Sequence, residues 1–274
     1  MWLRRALIFV AVLGLLFTAL STSASAQSYP NSMASAGDSI TRAFNTGFFP
    51  FTDAPANSWS TGTSTTVNSH YRRLLALHPG IYGKNYNDAR SGAKMADLAG
   101  QVTTAVSQKV DYVTVLMGGN DICTSSVDTM TPVQTFHDQF QTALQSLVTG
   151  LPHARIFVAS IPDAYHLWEL FHDNATAVFV WTAFGVCQSL LANPQSTADA
   201  DVQRRAAVRQ RNIDFNTQLA NVCAAYAQCR SDAGAVFGYS FTTADVSTRD
   251  YFHPSLTGQT HLAAVTWAAS YWGP

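Results

Sequence analysis

Charge is scarce in this sequence. Only 12% of its 274 residues are Asp, Glu, Lys or Arg, and 16 basic side chains against 17 acidic ones leave a formal net charge of -1. Neither sign gathers into a run, so the electrostatic footprint of a nucleic-acid binder is missing and no nucleic-acid partner is expected. Cysteine is rare too: there are four, none in the paired Cys-x-x-Cys spacing of a structural zinc site. Gly-x-Ser-x-Gly, Walker, Gly-x-Gly-x-x-Gly and His-Glu-x-x-His patterns are all absent. With them go the nucleophile-elbow, nucleotide and zincin readings, and no metal or cofactor is expected. The apolar run over residues 6–20 falls short of the about 20 residues that a membrane-spanning helix needs.

That run does fit another role. Arg4 and Arg5 precede it, and Ala24-Ser25-Ala26 follows a Ser/Thr/Ala spacer, which is the order of a secretory signal peptide. The reading is a signal peptide over residues 1–26, cleavage after Ala26, secretion, and one domain over residues 27–274. At 47% hydrophobic the remainder is rich enough to bury a large core. In an exported chain an even cysteine count argues for disulfides. Of the three pairings, Cys123 with Cys187 and Cys223 with Cys229 is preferred. The local pair requires the helix to end between its members, because six residues of α-helix separate Cα atoms by about 9 Å.

Apolar runs ending in turns alternate with segments of helical period. Residues 34–36, 82–89, 111–117, 155–160 and 235–239 read as strands, the third being apolar enough to lie at the centre of a parallel sheet. Helices are predicted over residues 70–77, 94–107, 131–150, 202–227 and 257–271, the third opened by a Thr131–Gln134 capping box and the fourth turning Ile213, Leu219, Val222 and Tyr226 inward. Residues 45–70 form a long loop whose Phe48, Phe49, Phe51 and Trp59 suit a substrate wall or a self-pinned loop. Residues 163–199 form a helical lid, with Trp168, Phe171 and Trp181 as candidate walls of an acyl groove or as core. Such alternation gives an α/β fold, a parallel sheet with helices on both faces, and a ligand site beyond the carboxyl ends of its strands.

Ser39 follows the first strand in Gly37-Asp38-Ser39-Ile40-Thr41, where a first helical turn offers free N–H groups beside its hydroxyl. Gly92 follows the second strand and Asn120 the third, in Gly118-Gly119-Asn120-Asp121. His253 supplies a base for the Ser39 hydroxyl, and Asp250 three residues earlier is placed to fix its tautomer. The Ser39 and Gly92 N–H groups with the Asn120 amide make three donors for an oxyanion. Asp121 is read as a brace for its loop, and His137 and His261 as structural or solvated.

These four blocks, in this order, resemble the SGNH (GDSL) hydrolase superfamily, named for a Ser, a Gly, an Asn and a His that match Ser39, Gly92, Asn120 and His253. Ile40 stands where the family name has Leu. The resemblance implies a flavodoxin-like three-layer α/β/α fold and serine-dependent hydrolysis of carboxylic esters. Segments 58–62, 117–123 and 252–255 are similar to phospholipase-B-like members, which tilts the substrate toward lipid or phospholipid acyl esters. Carbohydrate acetyl esters are the alternative, and an inactive secreted binding protein is the alternative of another class. The implied partner is a small-molecule or lipid ester, with transient contact with a lipid surface and no obligate protein partner.

Overall fold

Strand residues of alternating direction divide the interior of the protein in two. In the computed structural model, which describes residues 29–273, β1 (Met33–Gly37), β2 (Asn85–Asn87), β3 (Tyr112–Leu116), β4 (Arg155–Val158) and β5 (Cys229–Ser231) form one sheet in the order β2-β1-β3-β4-β5. All four pairings are parallel. Ala34, Ala36, Val113, Val115, Ile156 and Val158 face one helical layer, made of α2 (Leu98–Gln108), α4 (Val133–Gly150) and α8 (Asp199–Ala224). Met33, Tyr112, Leu116 and Phe157 face the other, made of α1 (His70–Leu77) and α9 (Leu256–Ala269). Every residue of β1 and β3 is buried, as two covered faces require. The expected three-layer α/β/α fold is the one observed. The expected signal peptide lies outside the described residues.

A short helix, α3 (Gly119–Ile122), follows β3, and α5 (Ala164–Phe171), α6 (Ala175–Ala183) and α7 (Gln188–Leu191) follow β4. The helical reading of residues 163–199 thus takes the form of three short helices, with α5 and α7 against α8. Disulfides join Cys123 to Cys187 and Cys223 to Cys229. The second closes because α8 ends at Ala224 rather than at 227, which brings the two Cα atoms to 5.3 Å.

Three local expectations fail for identifiable reasons. The apolar run 235–239 is no strand: the Asp232 carboxylate accepts from the N–H groups of Gly234 and Val236, and Ser160 Oγ accepts from Phe237, so side chains satisfy its backbone in a turn. β5 is instead the more polar Cys229–Ser231. The Thr131 capping box does not form, since the Thr131 hydroxyl donates to Asp121 (2.6 Å) and α4 starts from Pro132 without a side-chain cap. Ile213 is more than one-third exposed, because the inward stripe of α8 runs through Arg205, Val208, Asn212, Phe215 and Leu219.

Candidate active site

β1 and β3 flank the point where successive strands leave the first one in opposite directions, and the crevice there is where open α/β sheets hold ligands. Ser39 stands two residues past β1 and Asn120 four residues past β3. The Ser39 turn is tight. A Cβ on Gly37 would meet the Leu116 carbonyl oxygen and Thr41 Oγ1 at 2.5 Å, so no other residue fits there. Gln101 locks the same residue through both of its flanking peptides, accepting from Gly37 N–H (2.7 Å) and donating to Gly37 O (2.9 Å).

The candidate base arrives on the loop between β5 and α9. His253 Nδ1–H donates to Asp250 Oδ2 (2.7 Å), which leaves Nε2 to accept from the Ser39 hydroxyl at 2.8 Å. Asp250 folds back through a left-handed Tyr251 (φ 53°), and its Oδ1 accepts from the N–H groups of Phe252 and His253. Burial works to raise the Asp250 carboxyl, but the hydrogen bonds from the His253 ring and these backbone donors outweigh it and hold the group below the usual carboxylate range. The loop is fastened on both sides: Ser247 N–H donates to His253 O (2.8 Å), and Ser255 caps α9 through Gly258 N–H. Gln259 of α9 then reaches the serine turn, donating to Ile40 O at 2.8 Å.

Asn120 and Gly92 are placed differently. Asn120 lines the same cleft as Ser39 and His253. One N–H of its amide donates to Ala93 O (2.9 Å), which fixes the group and leaves its second N–H. Gly92 is exposed, adopts φ +80°, and is tied to the site through its neighbours: Arg90 N–H donates to Gly37 O, and Ala93 O receives Asn120. The N–H groups of Ser39 and Gly92 donate to no acceptor among the described residues. Asp121 lies buried behind them, accepting from Met95 N–H and the Thr131 hydroxyl as a brace.

Two participants escaped the sequence reading. Asn45 donates from Nδ2 to Asp250 Oδ2, accepts from Phe51 N–H on Oδ1, and is nearly fully buried. Its left-handed backbone (φ 67°) suits an Asn, but nothing in a loop sequence marks which Asn meets a carboxylate 205 residues away. Asp38, a block residue passed over, faces the cleft with Oδ1 bound to Ile40 N–H and Oδ2 unpartnered. Burial pushes its carboxyl up to about 6.

The cleft holds about 110 Å³ of accessible space, and beyond the Ser39–His253 pair its walls are mostly apolar, Ile122, Ile161, Leu167, Leu170, Val246 and Phe252 among them, with Asp38, Asn120, Asp163, His166 and Asp245 as polar exceptions. α5 supplies Leu167 and Leu170, so the 163–199 segment does form one side, though not through its aromatics. Trp181 is buried with Nε1 donating to Tyr251 O, and Phe171 packs edge-on against Tyr251. Trp168 donates to Pro194 O beneath the Arg205 guanidinium. Trp59 is likewise core, and Phe48, Phe49 and Phe51 point to solvent rather than into the cleft. Among the described residues no cluster of three or more His, Cys, Asp or Glu has metal-binding geometry, and no helix is long and apolar enough to cross a membrane.

The chain that lines up this serine, imidazole and carboxylate at the switch point of a parallel sheet also matches a known family. The GDSL-like lipase/acylhydrolase family profile matches residues 34–265. The chain belongs to that family, one of ester-hydrolysing serine enzymes. It is 30% identical over 197 residues to the membrane-associated phospholipase B1 of Rattus norvegicus and 31% identical over 170 residues to that of Mus musculus. Those stretches cover 60% and 50% of this chain but only 14% and 12% of the relatives. Among solved structures, the acetyl xylan esterase AlAXEase aligns over 86% of this chain and 98% of its own (TM-score 0.52, 16% identity). The lipase Lip_vut3 from a goat rumen metagenome aligns over 88% and 97% (TM-score 0.52, 13% identity). At these identities the two share the fold.

Proposed function

We propose that the protein is a secreted esterase or lipase that cleaves acyl esters of lipids or phospholipids with Ser39 as nucleophile. The observation that carries this reading is the continuous hydrogen-bonded line from Asp250 through His253 to Ser39, opening on an apolar cleft. In the proposed reaction His253 Nε2 takes the Ser39 proton as Oγ attacks the acyl carbon, and Asp250 steadies the imidazolium. The oxyanion accepts from Ser39 N–H, Gly92 N–H and the Asn120 amide, a site prepared before substrate arrives. His253 then protonates the departing alcohol, and water, activated by the same imidazole, releases the acid and restores Ser39.

Preference for long acyl chains over acetyl groups is supported by the apolar lining, since an acetyl group needs no such length of wall. The local identity to phospholipase B1 relatives leans the same way. Secretion is supported by the N-terminal sequence pattern and two disulfides, with residues 1–26 as signal peptide and 27–274 as one hydrolase domain. A panel of p-nitrophenyl esters of rising chain length, run beside phosphatidylcholine and acetylated xylan, tests the reading. Faster release from medium and long chains than from acetyl donors supports it; turnover confined to acetylated xylan moves the protein to carbohydrate esters.

A further inference from the structure

Three exposed aromatics, including Phe48, the most exposed large hydrophobic among the described residues, stand beside the site and outside its cleft. Phe48 is 90% exposed, Phe49 67% and Phe51 61%, at the tip of a loop closed by Asn45 N–H donating to Thr52 O. Leaving three phenyl rings in water is unfavourable by roughly 25 cal/mol per Å² of apolar surface, so the arrangement needs a use.

Part of the backbone beneath the rings is already paired within the protein. Arg249 donates to Phe49 O (3.1 Å), Phe48 O (3.3 Å) and Asn45 O (3.0 Å). Thr52 Oγ1 adds a second bond to Phe49 O, and Phe51 N–H is taken by Asn45 Oδ1. Pro50 has no N–H at all. These groups need no water. The N–H groups of Phe48 and Phe49 and the carbonyls of Pro50 and Phe51, unpaired among the described residues, call for the tip backbone to stay at the polar headgroup level, with only the rings going deeper. Arg249 pairs with no carboxylate among the described residues, and its Nε–H and part of one terminal amine remain unspent. Its position under an apolar tip is where a phospholipid phosphate would lie if the rings were among the acyl chains.

We propose that residues 48–51 are the docking element by which the enzyme rests on a phospholipid surface, the three Phe rings among the acyl chains and Arg249 at the phosphate level. Asn45, which holds the loop, also bonds Asp250, so the docked surface lies one side chain from the reactive groups. A second copy of the chain fits the tip poorly. A two-fold contact would bring Arg249 against its own counterpart, and three partly covered rings fall short of the about 800 Å² per partner of a stable interface.

The proposal rests on the lipid-ester reading, and its test separates the two. A Ser39→Ala protein, which cannot consume lipid, is sedimented with phosphatidylcholine vesicles, alone and carrying Phe48→Ser, Phe49→Ser and Phe51→Ser together. The expected result is partition weakened about tenfold or more by the three changes, with Phe48→Ser alone shifting it in the same direction. In the Ser39 background the triple variant should hydrolyse soluble p-nitrophenyl acetate within about twofold of the parent. Equal partition of triple variant and parent, absence of vesicle binding by the parent, or a dimer that dissociates on the triple change while vesicle binding persists would each overturn the proposal. Failure of the unaltered enzyme on every ester overturns the lipid-ester reading and leaves the vesicle result standing by itself.

Discussion

Ser39 is 7% exposed and its hydroxyl makes one side-chain bond, to His253, so its removal leaves neither a cavity of consequence nor an unpaired buried donor. Ser39→Ala is expected to abolish ester hydrolysis and labelling by a fluorophosphonate while the melting temperature stays unchanged; retention of a tenth of the activity excludes it as nucleophile. Asn45 is the finer case. Asn45→Ala takes one of the four hydrogen bonds from Asp250 and frees the end of the 45–52 loop. The rate constant should fall about ten- to a hundredfold with a steeper loss at low pH, at a stability cost of about 1–3 kcal/mol. A stability loss with kinetics and pH profile intact would mark the residue as scaffold alone. Asp38 carries a penalty of its own: a carboxyl raised from 3.8 to about 6 opposes folding above pH 6 by about 3 kcal/mol. Asp38→Asn keeps the acceptor for Ile40 N–H, and should stabilise the protein by about that amount at pH 8 and by almost nothing at pH 4, measured by chemical denaturation.

The elements around the cleft divide its walls from its supports. Leu167 and Leu170, one turn apart on α5, face the cleft, whereas Trp168 and Phe171 face away. Leu170→Trp should narrow the apolar wall and shift ester preference toward shorter chains. Phe171→Ala and Trp181→Ala should instead cost about 3–5 kcal/mol and leave chain-length preference alone. The helical character of the 163–199 segment was readable, but which of its apolar side chains meet substrate depends on where α8 lies, and that is a tertiary fact. The same limit explains β5. Residues 235–239 have a strand's composition, yet Asp232 and Ser160 capture their N–H groups in a turn, while Cys229–Ser231 becomes a strand because the Cys223 bridge and β4 hold it there. In the chain-entropy picture the Cys123–Cys187 bridge, spanning 64 residues, contributes roughly 4 kcal/mol and the Cys223–Cys229 bridge, spanning 6, roughly 2. Reductant should lower the melting temperature, and a Cys123→Ser/Cys187→Ser protein should reproduce most of the drop.

Across the whole molecule, two buried groups pull its acid response in opposite directions. His70 is enclosed between Tyr112 Oη (3.0 Å) and Thr266 Oγ1 (2.9 Å), and burial lowers it to about 3. The stability that its neutral form contributes is complete above pH 6.5 and is lost as the pH falls toward 3. Asp38 has the opposite sign, its penalty fading as the pH falls from 6 to 3.8. Between those limits the two slopes, each about 1.4 kcal/mol per pH unit, offset one another. Denaturation midpoints should therefore change little from pH 6 to 4 on account of these groups, and Asp38→Asn should make the same range steep. The alternation of strands and helices and the four blocks were legible because they are local in sequence. What was not legible, the Asn45 bond and the outward turn of Phe48 to Phe51, depends on contacts across about 200 residues.

The separation of 214 positions between Ser39 and His253 also orders events in time. A chain growing from its amino end carries the serine turn long before the imidazole that would draw off its proton, and Gln259, which steadies Ile40 O and receives Trp59 N–H, is made later still. The hydroxyl thus has no imidazole partner until that later loop is made. On the proposed mechanism, reactivity toward esters switches on only when α9 packs into the layer that covers β1, so an unfinished or mispacked chain would be chemically silent.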